Sequence, residues 1–143
     1  MAKMTPEQQG IYERGEDQDG PDRSPVPEGY YLLKVISDDE YKGEEYDGVN
    51  LKFEVQSPRG YKGKWLWDRM SYSPKAVFRW RMLFEATGYE HDSDTAELVE
   101  AGELVVAFVS QGIQEKGKNK GQVVNNIDEY FEPSDENRAL VND

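Results

Sequence analysis

Hydrophobic and polar positions alternate along the middle of this chain, and the period of the alternation changes once. "GYYLLKVISDDEY", from Gly29, is dense in β-forming residues and predicts a first strand. After an Asp47-Gly48 turn, "VNLKFEV" alternates strictly. Val49, Leu51, Phe53 and Val55 share one face, and Asn50, Lys52 and Glu54 the other. "SPRGYKG" is a Pro/Gly turn, and "KWLWDRMSY" predicts a third strand. From Ser73 the period becomes helical. Ser73 is expected to cap, Pro74 to take the first helical position, and Gly88 to close the helix in the left-handed conformation. Val77, Trp80 and Phe84, with Ala76 and Leu83, form an apolar stripe, while Lys75, Arg79 and Arg81 fall off it. "DTAELVEAGE" reads as a polar turn or short helical segment. "ELVVAFVSQGIQ" predicts a fourth strand, apolar enough at its start to be buried on both sides. The lysine-glycine loop "EKGKNKGQ" leads to a fifth strand, "VVNNIDEYFEP", stopped by Pro133.

The order β-β-β-α-β-β predicts a mainly β protein. Its expected form is an OB-fold-like five-stranded barrel with one helix between strands 3 and 4. An open meander sheet with a helix across it is the structural alternative. Residues 1–27 hold almost no apolar side chains and read as a flexible acidic N-terminal arm. The OB-fold-like domain is expected over 28–133, and an acidic C-terminal tail over 134–143, with a small apolar cluster at Ala139, Leu140 and Val141.

Composition narrows the chemistry. The 143 residues suit one domain. With no cysteine, disulfides and thiolate metal sites are excluded, and the single histidine, His91, has no partner histidine. No Ser-His-Asp set, EF-hand loop or phosphate-loop spacing occurs, so no enzyme, cofactor or metal is expected. "LVVAFV" is too short to span a bilayer and the start does not resemble a signal peptide, so the expected address is the cytoplasm of the host cell.

Net charge is −12, unevenly spread. Residues 1–28 carry seven acids and three bases, and residues 128–143 six acids and one base. The 99 residues between them hold 16 acids and 13 bases, so a basic surface can exist there. All three tryptophans, Trp65, Trp67 and Trp80, lie among cations in "RGYKGKWLWDRMSYSPKAVFRW". On an extended strand, Trp65, Trp67 and Arg69 point to one side and Leu66, Asp68 and Met70 to the other. Asp68 conflicts with the apolar character of its side. Either a bulge lies near it or Trp67 turns inward, which makes Trp65 the better candidate for exposure. Cations along a groove with rings as stacking platforms are what a sequence-tolerant binder of single-stranded nucleic acid needs.

Six segments carry a resemblance: "VPEGYYLLKVISDDE", "GVNLKFEV", "YKGKWLWDRM", a helix ending "LFEATGY", "ELVEAGELVVAFV" and "NNIDEYFEP". Together, from about Val26 to Pro133, they resemble a family of phage-encoded proteins found near recombination and replication genes, themselves similar to OB-fold single-stranded-DNA-binding proteins. The motifs are a Pro-x-Gly-Tyr start, a Gly-Lys-x-x-x-Asp third strand and an Asn-Asn-Ile last strand. "VEAGELVV" departs from the L-x-Gly-Lys expected before strand 4, and "RALVND" is not the Pro-Phe ending of bacterial single-strand-binding proteins. The resemblance implies no catalytic residue.

The expected function is phage-type binding of single-stranded DNA in replication or recombination. Trp65, Trp67, Tyr61 and Tyr72 are the candidate stacking rings. Lys52, Arg59, Lys62, Lys64, Arg69, Lys116, Lys118 and Lys120 are the candidate phosphate contacts. The acidic tail is expected to compete with DNA for the basic groove, or to engage replication or recombination proteins. Self-association is a further expectation. The alternative is a protein-interaction module or small phage inhibitor of a host enzyme, a possible DNA mimic given the net −12.

Overall fold

The alternating segments become one antiparallel sheet. The computed structural model describes residues 3, 5–9, 24–117 and 120–141. Strands β1 (Gly29–Tyr41), β2 (Gly48–Ser57), β3 (Trp65–Ser71), β4 (Leu104–Ile113) and β5 (Val123–Phe131) lie in the order β3-β2-β1-β4-β5. Every neighbouring pair is antiparallel. The mainly β expectation holds, but the sheet does not close into a barrel. Side chains, instead of a backbone ladder, join the edge strands: Asp68 of β3 accepts from the Tyr130 hydroxyl of β5 at 2.5 Å.

One face of the sheet holds the core. Leu33 and Val35 of β1, Leu51, Phe53 and Val55 of β2, and Val105 and Val109 of β4 are fully buried. These positions alternate as the sequence requires. Val105, Val106 and Ala107 are buried in succession, so the start of β4 is covered on both sides.

Two helices, not one, lie between β3 and β4. Helix α1 (Val77–Thr87) buries Leu83, Phe84 and Ala86. It ends at Gly88, whose φ of 78° lies in the left-handed region, and the Gly88 N–H donates to the Phe84 carbonyl. Its start differs from expectation. Ser73 makes no side-chain cap, and Pro74–Ala76 form a separate 3-10 turn. Trp80, Leu83 and Phe84 of the expected stripe pack on the core. Val77 is 51% exposed, while Arg79 turns inward to Asp68. Helix α2 (Thr95–Ala101) is the segment left open as turn or helix. Asp94 and Glu97 form a complete capping box, and Leu98 plugs into the core.

Both ends hold more structure than their composition suggests. Val26, within the stretch expected to be an arm, is fully buried. Its N–H donates to Asn125 Oδ1 at 2.8 Å, and its carbonyl accepts from Gln111 Nε2 and Asn125 Nδ2, both at 2.9 Å. The packed domain therefore starts at Val26 or earlier, while residues 10–23 of the expected arm lie outside the described residues. At the other end, the tail forms helix α3 (Asp135–Arg138), capped by the Ser134 side chain. Val141 is 9% exposed and, with Leu32, Gln56, Ser57 and Arg138, lines a small cavity. Of the tail's apolar cluster, Val141 is buried, while Ala139 and Leu140 are exposed. Burying one valine contributes about 1.5–3 kcal/mol. Removing residues 134–143 is therefore expected to lower the thermal midpoint by several degrees, measured by circular dichroism. An unchanged midpoint would return the tail to a purely electrostatic role.

Candidate nucleic-acid interface

The solvent face of β2 and β3 carries the strip expected from the sequence. Their register is unbroken and pairs Glu54 with Trp65, Lys52 with Trp67, and Asn50 with Arg69. There is no bulge at Asp68. The carboxylate goes inward, 8% exposed, where Arg79 Nη2 meets its Oδ2 at 2.5 Å. The same nitrogen donates to the Ile127 carbonyl of β5 at 2.8 Å. A buried ion pair thus resolves the conflict in the pattern, and both Trp65 and Trp67 face outward.

Their order of exposure is the reverse of that expected. Trp67 is 40% exposed, whereas Trp65 is half-buried. The Lys52 ammonium lies 4.2 Å from the Trp65 ring centroid, and the two indoles meet edge to face at 6.1 Å. This cation–π contact fixes Lys52 and covers one face of Trp65. Further along the strip, the Arg69 guanidinium lies 4.0 Å from the Tyr41 ring centroid. From Trp65 to Arg69 the strip extends about 13 Å along the strand.

The other predicted residues divide. Arg59 and Lys62 are exposed in the turn between β2 and β3. Lys64 donates to the Ser24 hydroxyl at 2.7 Å. Tyr61 packs edge-on against buried Tyr31 at 6.1 Å, so it supports the core's rim instead of offering a free platform. Tyr72 does not join the strip. It stacks on Trp80, with centroids 5.5 Å apart and planes at 18°, and borders a different, acid-lined cavity. Its position follows the inward parity of Asp68 and Met70.

A groove of about 370 Å³ runs between the edge strands. Asn50, Trp67 and Arg69 line one side, and Gln114, Asn126 and Asp128 the other. Gln114 holds the base of the β4–β5 hairpin: its N–H donates to the Gln122 carbonyl at 2.9 Å and its carbonyl accepts from the Gly121 N–H at 2.8 Å. Its side chain donates to the Lys116 carbonyl at 3.0 Å. Lys116 and Lys120 are exposed in the loop that follows, and Lys118 lies outside the described residues. Gln114, at the base of this hairpin, lines the groove that Trp67 and Arg69 border. The groove is mixed in charge: Asp68 and Asp128 line it together with Arg69 and Arg79.

Sequence reasoning missed Asn50, Gln114 and Asn126 as groove residues, and Tyr41 as the ring under Arg69. Asn50 was findable, because it shares the outer parity of Lys52. Arg79 was not, because its partners, Asp68 and the Ile127 carbonyl, belong to β3 and β5. Among the described residues, no group of three or more His, Cys, Asp or Glu is placed to hold a metal ion. Nor is any helix among them long and apolar enough to cross a membrane. The chain matches no protein-family model, and comparison with curated proteins gives no match.

Proposed function

We propose that this protein binds single-stranded DNA with little sequence preference, as a phage-type protein of replication or recombination. The outward strip of Trp65, Trp67, Lys52 and Arg69 is the observation that carries the reading. A flat ring between cations serves a stacked base and its flanking phosphates at once. The reading takes the sheet as an OB-fold whose β3–β5 seam is held by side chains. The strand order supports it, because OB-folds are partly open and bind oligonucleotides on the face of strands 2 and 3 and with the loop between strands 4 and 5. Those are the elements that carry Trp67, Arg69 and the Lys116–Lys120 loop here. The protein acts in this reading as a binder, with no catalytic residue and no cofactor, in the cytoplasm of the host cell.

Anisotropy of a fluorescein-labelled oligothymidine tests the reading. Binding is expected at low salt, stronger than to a duplex of equal length. Its logarithm should fall against log salt with a slope near −3 if Lys52, Arg69, Lys116 and Lys120 each neutralise a phosphate, at about −0.7 per single-strand contact. No change in anisotropy at low salt would refute the proposal and favour the interaction-module alternative.

A further inference from the structure

The acid-lined cavity beside Tyr72 is separate from the strip and has its own chemistry. It is about 480 Å³ in volume. Its floor is apolar and aromatic: Trp80 and Phe84 of α1, Val49 of β2, and Tyr72. The Trp80 indole N–H donates to the Ser71 carbonyl at 2.8 Å, which fixes the ring on which Tyr72 stacks. Above the floor stand Asp38, Glu40, Asp92 and Asp94, and no lysine or arginine lines the cavity. Two of the four carboxylates are engaged. Asp38 accepts from Thr95 Oγ1 at 2.7 Å, and Asp94 caps α2. Glu40 and Asp92 are exposed at the mouth. The Tyr72 hydroxyl registers the field: burial raises its pKa first, and Glu40, Asp94 and Asp38 add to the rise. At its edge, Val77 leaves 51% of its surface in water.

We propose that this cavity is a docking site for a basic, amphipathic peptide segment of a partner protein. An arginine or lysine would lie over the Tyr72–Trp80 stack between Glu40 and Asp92, and a neighbouring apolar side chain would cover Val77. Charge complementarity selects this occupant. Carboxylates around an aromatic floor attract a cation both by charge and by the ring quadrupole, and an apolar rim adds contact area. The chain's own segment 10–23 does not fit, because it has five acids against two bases. The site is independent of the DNA-binding strip, so a partner can be held while DNA is bound.

Calorimetric titration of the full chain with the capped peptide Ala-Leu-Arg-Leu-Arg-Ala, and with its glutamate counterpart, tests the proposal. The arginine peptide is expected to bind and to weaken with added salt, whereas the glutamate peptide is expected not to bind. Glu40→Gln with Asp92→Asn should weaken binding on the order of tenfold, as expected for two partly exposed ion pairs. Tyr72→Ala should weaken it independently of those two positions, with the fold checked by circular dichroism. Equal binding of both peptides, no binding of either, or unchanged affinity in the folded variants would overturn the assignment.

Discussion

Replacing Asp68 with alanine is expected to lower stability by about 3 kcal/mol and the melting temperature by roughly 10 °C. The carboxylate is 8% exposed and accepts from both Arg79 and Tyr130. Its loss strands a guanidinium whose side chain is only 21% exposed and removes what joins the edge strands. Arg79→Ala should cost a similar amount for the converse reason. The double variant Asp68→Leu/Arg79→Met should cost clearly less than the two single losses added, because no unpaired charge remains inside. Tyr130 adds a pH dependence. Full burial first, then the Asp68 charge, raises its hydroxyl pKa well above the usual value. The folded state therefore holds this proton after the unfolded chain has released it, near pH 10. Stability from this source is complete below about pH 10 and declines as pH rises beyond it. Tyr31, pushed up to about 12 by burial and then by Tyr61, has the same sign. Tyr130→Phe should remove part of the alkaline decline and leave the rest. Denaturant melts of these variants between neutral and alkaline pH check each point.

The second large effect concerns affinity. Trp67→Ala is expected to weaken oligonucleotide binding by about 1–3 kcal/mol, roughly 5-fold to 150-fold. Trp67 is the more exposed indole and borders the groove between the edge strands. Trp65→Ala should cost less. One face of its ring is already taken by Lys52, which leaves less of it for a base. Arg69→Ala should weaken binding modestly and reduce the salt slope by about 0.7. Tyr72→Ala should leave oligonucleotide affinity unchanged, because its ring lies in the acid-lined cavity. A Tyr72 effect equal to that of Trp67 would contradict the division of the rings between two sites.

Much of this arrangement was legible in the sequence. Strict alternation in "VNLKFEV" set the two faces of β2, and the same parity placed Trp65, Trp67 and Arg69 together on β3. The left-handed Gly88 also followed from sequence. The features that escaped depend on partners distant in the chain. Asp68 looked like a defect of pattern because Arg79 and Tyr130, 11 and 62 residues away, complete it. Val26 looked like part of an arm because its hydrogen-bond partners, Gln111 and Asn125, arrive from β4 and β5. Val141 looked free because the residues that line a cavity with it, Leu32, Gln56 and Ser57, belong to β1 and β2. The relative exposure of the two indoles turned on Lys52, one strand away, and local periodicity carries no information on that contact. Between β3 and β5 the contacts shown are likewise from side chains distant in the chain, a guanidinium and a phenol meeting Asp68.

Photo-cross-linking of the full chain to an oligothymidine carrying 5-iodouracil, with the adducts mapped by mass spectrometry, tests the central claim most directly. The account predicts adducts on Trp67 and its neighbours on β2 and β3, with others on the β4–β5 hairpin, all lost at high salt. Absence of adducts at low salt, or adducts confined to the Tyr72–Trp80 cavity and α1, would contradict it.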